Sequence, residues 1–278
     1  MIIHKVLNNN VVTSFNHNNE EVIVTGRGIA FKKKYGDTID KSKIDKIFIL
    51  SNPNINNKFI ELIKNIPIEY TDISEQIIAY SKNEIGKILN DSIYISLTDH
   101  IYNAIQRQKK GIIVKNGLTL ETKRLYKEEY KIGIKALEII RKEFDINLPE
   151  DEAAFIALHI VNAQLNEDMP ILMDITKLIQ EILNIVKYNF NIEFDEESLS
   201  YYRFITHLKF FAQRMFNNKA YKDEKDNELF EIVKEKYYES YKCVNKVQRF
   251  ISEKYSYNLT KEEMLYLIIH TEKLINKK

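Results

Sequence analysis

Residues 126–159, YKEEYKIGIKALEIIRKEFDINLPEDEAAFIALH, recur without gaps 111 positions later as YYESYKCVNKVQRFISEKYSYNLTKEEMLYLIIH, residues 237–270, with ten of 34 positions identical. Self-similarity over this length restricts the chain to folds in which one unit is built twice. Upstream, DHIYNAIQR and THLKFFAQR align at an offset of 107, sharing His100/His207, Gln106/Gln213 and Arg107/Arg214, so a short insertion separates the two blocks. The repeated unit reads as helical. In DITKLIQEILNIV, Asp174 is an expected N-cap, and Ile175, Leu178, Ile179, Ile182 and Val186 form a stripe of helical period. In LPEDEAAFIALHI, Pro149 suits a first turn and three acids follow where the helix dipole favours them. Thr260 and Glu263 have the spacing of a capping box.

Residues 2–50 have another period. IIHKVL, VVTSF, EVIVTG, IAFKK and KIFIL are short runs separated by Asn, Gly and Asp clusters, which predicts antiparallel strands and turns. The polar stretch SNPNINN, residues 51–57, is the first expected linker, and LNEDMP, ending at Pro170, is the second. The expected architecture is therefore multidomain: a small antiparallel all-β domain over residues 1–56, then two homologous all-α helical-bundle domains over residues 57–170 and 171–278.

Three of the seven glycines cluster in VTGRGIAFKKKYGD, residues 24–37, beside Arg27, Phe31 and three lysines. A phosphate-cradling loop requires a strand before it and a helix after it, and no helix pattern follows Gly28. What remains is a basic turn carrying an aromatic residue. Residues 1–50 hold eight Lys/Arg against five Asp/Glu, whereas the rest holds 33 against 35, so the only basic lean falls on this turn. That placement favours a nucleic-acid contact over a membrane surface. A single cysteine, Cys243, excludes an internal disulfide, and nowhere do 18 apolar residues run together, so a cytoplasmic protein without membrane insertion is expected.

Four of the six histidines, His100, His159, His207 and His270, occupy equivalent positions of the two copies. Each lies in an apolar helical stripe, which fits a core imidazole with a satisfied partner. Arg107 and Arg214 follow the first histidine of each pair by seven residues on the same face, which fits an anion carried on the ring. Spacing leaves both readings open. Two histidines per copy, with neither cysteines nor a His-Glu-x-x-His helix, make a weak zinc signal, and no nucleophile elbow is present. The acids at 150–152 read as helix-start residues. No catalytic residue, metal or cofactor is expected.

GRGIAFKKKYGD, SLTDHIYNAIQR, PEDEAAFIALHIVNAQLN and YYRFITHLKFFAQRMF together resemble, in order and along essentially the whole chain, the bacterial transcriptional antiterminators of the BglG/SacY/LicT type. Ala30 and Tyr35 depart from the glycine and proline common there. The resemblance implies an RNA-binding co-antiterminator domain acting as a β dimer, followed by two phosphotransferase-system regulation domains. It implies that Lys5, Asn10, Gly26, Arg27, Gly28 and Phe31 form the RNA surface, in keeping with recognition of unpaired bases by stacking. Turn formation remains the alternative for Gly26 and Gly28, and core packing for Phe31.

The same resemblance implies that His100, His159, His207 and His270 receive phosphate, with Arg107 and Arg214 as phosphate-contacting candidates. The implied partners are a leader RNA hairpin, a second copy of the chain, HPr and a sugar-specific enzyme II permease. The first helical copy is then the inhibitory, permease-addressed one and the second the activating, HPr-addressed one. A DNA-binding activator bearing the same regulation domains predicts a helix-turn-helix N-terminus, which the strand pattern opposes. A metal or catalytic histidine protein is the other reading carried forward.

Overall fold

The computed structural model describes residues 1–49, 53–165, 169–217 and 228–276. Two compact units, Met1–Met169 and Pro170–Lys278, divide the chain.

The first unit opens with strands β1 (Lys5–Asn8), β2 (Val11–Phe15), β3 (Glu21–Thr25) and β4 (Lys46–Phe48), paired antiparallel in the order β1-β2-β3-β4. Val12, Val22 and Val24 pack on one face with Ile3, Ile29, Ala30 and Ile39, while Val11, Ile23 and Phe48 pack on the other with Phe59, Ile60 and Ile63. Burial on both faces explains why β2 and β3 read as nearly continuous apolar runs rather than clean alternation. IAFKK, expected as a strand, is a succession of turns: Ile29 N–H donates to Gly26 O, Phe31 N–H to Gly28 O and Lys33 N–H to Ala30 O, and Lys32 has φ 57°. Ile29 and Ala30 plug the sheet core while Phe31 and the lysines stay exposed, so no strand partner is needed.

Much of the expected linker at 51–57 is helical, because α1 (Pro53–Asn65) begins with proline, whose fixed φ suits the first helical position; residues 51 and 52 lie outside the described residues. Helices α2 (Ile68–Ile85), α3 (Ser92–Lys109), α4 (Thr119–Leu125), α5 (Lys127–Phe144) and α6 (Glu150–Leu165) complete the unit. Their core includes Ile77, Leu97, Ile101, Ile105, Ile140, Ile156 and Ile160. Tyr94 and Ile95 of α3 also pack beside Phe48 and Phe59, so this helix touches the sheet core as well as the helical one.

The second unit contains α7 (Met169–Phe190), α8 (Leu199–Phe216), α9 (Glu228–Lys236), α10 (Tyr238–Tyr255) and α11 (Lys261–Ile275). The stripe at Ile175, Leu178, Ile179, Ile182 and Val186 is buried, but Asp174 sits inside α7 rather than at its cap. The helix continues back to Met169 because Pro170 is tolerated in a first turn. Residues 166–168 of the other expected linker lie outside the described residues. Duplication extends to element ends: α3 and α8 correspond at both ends at the 107 offset, and α5 and α10 at the 111 offset. Both of the latter stop on a left-handed residue, Asp145 at φ 53° and Ser256 at φ 52°. No helix among the described residues is long and apolar enough to cross a membrane.

One contact distinguishes the copies. A Cβ added at Gly133 of α5 would lie 2.2 Å from the carbonyl oxygen of Ala153 in α6, so these helices meet backbone to backbone. Gly133→Ala, which in an open helix raises stability, is therefore expected to lower it by about 1–3 kcal/mol through overpacking, read from the urea midpoint.

Candidate functional site

The sequence places two kinds of site in the chain, a basic loop and a duplicated histidine pair. The loop is built on Asn10, in the turn between β1 and β2. Its carbonyl accepts the Gly26 N–H at 2.9 Å and its side-chain oxygen accepts the Gly28 N–H at 2.8 Å. Gly28 has φ 66°, and a Cβ on Gly26 would fall 1.7 Å from the Lys43 carbonyl oxygen, so both glycines are required by the backbone. Between them, Arg27 is tethered by its N–H to the Asp45 carboxylate at 3.2 Å while its side chain remains exposed. Phe31 is 60% exposed and does not fill the core. Lys5 is exposed on β1, opposite Thr13 of β2. The structure thus gathers Asn10, Gly26, Arg27 and Gly28 into one bonded loop, carries Phe31 at its end, and leaves Lys5 on the adjacent strand.

The turn is anchored to the helices. Asn10 N–H donates to the Asn8 side-chain oxygen at 2.8 Å, and the Asn8 amide donates to the Ile63 carbonyl of α1 at 3.0 Å. A continuous polar chain therefore runs from α1 through Asn8 and Asn10 to Gly28.

In each helical copy the two predicted histidines meet. His100 of α3 and His159 of α6 have ring centroids 4.9 Å apart; His207 of α8 and His270 of α11 lie at 4.1 Å. Burial, followed by the neighbouring His100, pushes His159 well below the ordinary imidazole range. Burial, then His207, Lys273 and Arg203, lowers His270 to about 4, and burial, Arg214 and Lys273 lower His207. A neutral imidazole retains a nitrogen lone pair and is the nucleophilic form of histidine. The second pair borders a pocket of about 360 Å³ lined by Phe204, Phe210, Phe211, Tyr266, Arg214 and Glu263 among others.

Sequence reasoning missed Glu152, which it read as a helix-start residue. This 3% exposed carboxylate lies 2.9 Å from His100 Nε2 and 2.9 Å from the Arg107 guanidinium. Burial would raise its pKa, but His100 and Arg107 together hold it below the usual carboxylate value. Its equivalent, Glu263, is 2% exposed and lines the pocket beside His207 and His270. The available signal was their identity across the repeat, which helix capping alone does not demand.

Family models match the chain as a CAT RNA binding domain over residues 1–57 and as PRD domains over residues 75–163 and 180–274. This chain belongs to the CAT–PRD transcription antiterminators. It is 54% identical over 277 residues to the transcription antiterminator LicT of Bacillus subtilis, covering 100% of both chains. It is 48% identical to the beta-glucoside operon antiterminator of Dickeya chrysanthemi, covering 99% of this chain and 96% of that one. The crystal structure of GlcT CAT-PRDI matches with a TM-score of 0.50 and 40% identity over 59% of this chain and 97% of that chain. These relatives are regulatory proteins.

The lowered imidazoles make stability pH-dependent. For His270 the unfolded chain takes up a proton near the ordinary imidazole value of 6.5, whereas the folded chain resists until about 4. Its contribution is present in full above pH 6.5 and is lost progressively as pH falls from there to about 4. His270→Gln is expected to flatten that part of the stability profile, measured by denaturant unfolding at a series of pH values.

Proposed function

We propose that the chain acts as an antiterminator in three segments, 1–56, 57–170 and 171–278, in which the first holds a leader RNA hairpin and the others report sugar supply through phosphate on histidine. In the RNA segment, Arg27 and Phe31 contact unpaired bases, Gly26 and Gly28 let the backbone approach, and Asn10 and Lys5 complete the surface. Exposure of Phe31 on a loop whose backbone is bonded in place supports this assignment, since stacking requires an aromatic face held ready but uncovered. Binding stabilises one RNA hairpin against a mutually exclusive terminator. A ligand at 100 times its Kd stabilises its target by about 2.7 kcal/mol, enough to move a balanced pair of hairpins about a hundredfold.

The observation that carries the regulatory reading is the repeated juxtaposition of two imidazoles on facing helices with an arginine two turns from the first. Structural histidines would be duplicated as well, but a core role has no use for a pocket that brings Arg214 and Glu263 beside His207 and His270. A phosphoryl group brings about −1.5 to −2 charge and strong acceptors, to which Arg107 and Arg214 are suited. The phosphate donors are HPr and an enzyme II permease, the second copy activates, the first inhibits, and the working state is a cytoplasmic homodimer with no cofactor and no catalytic activity. A DNA-binding activator is disfavoured, since the N-terminal segment is a four-stranded sheet rather than a helix-turn-helix.

Two outcomes test this reading. Arg27→Ala or Phe31→Ala costs about 1–3 kcal/mol of RNA affinity in a gel-shift titration, with circular dichroism unchanged. Aspartate at His207 and His270 raises dimer affinity and terminator readthrough in vitro, whereas aspartate at His100 and His159 suppresses both. Equal loss of stability in the two copies, with no change in dimer affinity beyond unfolding, would make the histidines structural.

A further inference from the structure

The same glutamate does different work in the two copies, and four neighbouring residues decide which. Thr260 caps α11: its hydroxyl accepts the Glu263 N–H at 3.2 Å, and the Glu263 carboxylate accepts the Thr260 N–H at 3.0 Å. Tyr257 donates its hydroxyl to the same carboxylate, 3.0 and 3.1 Å from its two oxygens. Glu263 is thus bound to the start of its own helix. In the first copy these positions are Pro149 and Ile146, one without an N–H and both without a hydroxyl. Glu152 has neither the capping partner nor the phenol, and its carboxylate turns to His100 Nε2 and Arg107.

The surroundings of the two histidine pairs differ accordingly. In the second copy the charges acting on the imidazoles are cationic, from Arg214, Lys273 and Arg203, beside an open pocket. In the first copy a buried carboxylate stands against His100, on the side where Arg107 would meet an anion.

We infer that Glu152 is a built-in anion seated where a phosphoryl group on His100 would lie, so that the first copy accepts phosphate only when this carboxylate is displaced, whereas in the second Tyr257 and Thr260 keep the equivalent Glu263 in the helix cap and out of that role. This rests on the phosphate-receiving reading of the histidines. Glu152 acts through His100 and Arg107 and is a positioning residue. Two anions cannot share the guanidinium and the ring edge without mutual repulsion, so phosphate entering the first copy must move the start of α6. In the second copy the equivalent carboxylate, Glu263, stays bound to its own helix cap and is not that competitor.

Phosphoramidate tests this on the full chain without a partner protein. The lone pair of a neutral imidazole nitrogen forms the new N–P bond as the P–N bond to the amine breaks. The amine leaves as ammonia, taking the proton that the imidazole gives up. Labelling is followed site by site, by peptide mass spectrometry under acid-free conditions. In the native chain, His207 and His270 are expected to label faster than His100.

Glu152→Gln, which removes the charge and keeps the shape, is expected to speed labelling at His100 on the order of tenfold and to leave His207 and His270 unchanged. The double variant I146Y/P149T, which supplies both tethers while retaining Glu152, is expected to do the same and decides the matter if Glu152→Gln does not fold. Conversely, Y257I/T260P slows labelling of the second copy. Unchanged or slower labelling of His100 in a folded variant would overturn the inference, a slower rate meaning that Glu152 activates the ring instead of blocking it. Absence of label on all four histidines would instead refute the phosphate-receiving reading beneath it.

Discussion

Two imidazoles held within 5 Å of each other in a partly buried helix interface repel one another when both carry charge. Much of the regulatory logic follows from this constraint. Each pair is supplied by two helices far apart in sequence, α3 with α6 and α8 with α11, so the rings meet only when the repeat is folded. The lowered pKa of His159, His207 and His270 keeps a nitrogen lone pair available on each of these rings and makes the interface sensitive to an added anion. A phosphoryl group adds about −1.5 to −2 charge to this interface, a change that helix packing must answer by rearranging its charged groups.

Packed side chains and hydrogen bonds also join the histidines of the first copy to the basic loop at Asn10 and Gly28. His100 lies on α3, whose Tyr94 and Ile95 pack against Phe48 of the sheet and Phe59 of α1. From the end of α1 the Ile63 carbonyl holds Asn8, Asn8 holds Asn10, and Asn10 fixes the Gly28 N–H. Lys46 of β4 adds an ion pair to Asp72 of α2 at 3.2 Å and another to Glu75. Packed side chains and hydrogen bonds of this kind move together or break, which gives a displacement of α3 a defined target in the loop.

Much of this was legible in the sequence, and the failures are specific. Repeat register located all four histidines because α3 and α8 share both ends and α6 and α11 start at equivalent positions, and the Thr260–Glu263 capping box is a local pattern that no tertiary contact overrides. IAFKK failed as a strand because apolar residues that plug a core from a loop look like strand residues until their partners are known. Residues 53–57, expected as linker, are helical because asparagines around a proline describe a helix start as well as a break. Asp174 failed as a cap because polarity at one position does not reveal that helical turns continue behind it. Tertiary partnership was invisible in each case.

Glu152 shows why identity across a repeat understates divergence. The residue is the same in both copies, as are the histidines and the arginine, so a comparison of these positions alone predicts two equivalent sites. The difference lies at 146 and 149, where isoleucine and proline replace tyrosine and threonine. A buried carboxylate must find donors, since leaving it unpaired costs several kcal/mol, and it takes whichever donors the neighbours provide. Given a phenol and a helix cap it stays at its own N-terminus. Deprived of both, it turns to the imidazole and guanidinium across the interface. Duplication therefore supplied two copies of one constellation, and two substitutions outside that constellation set the charge of each.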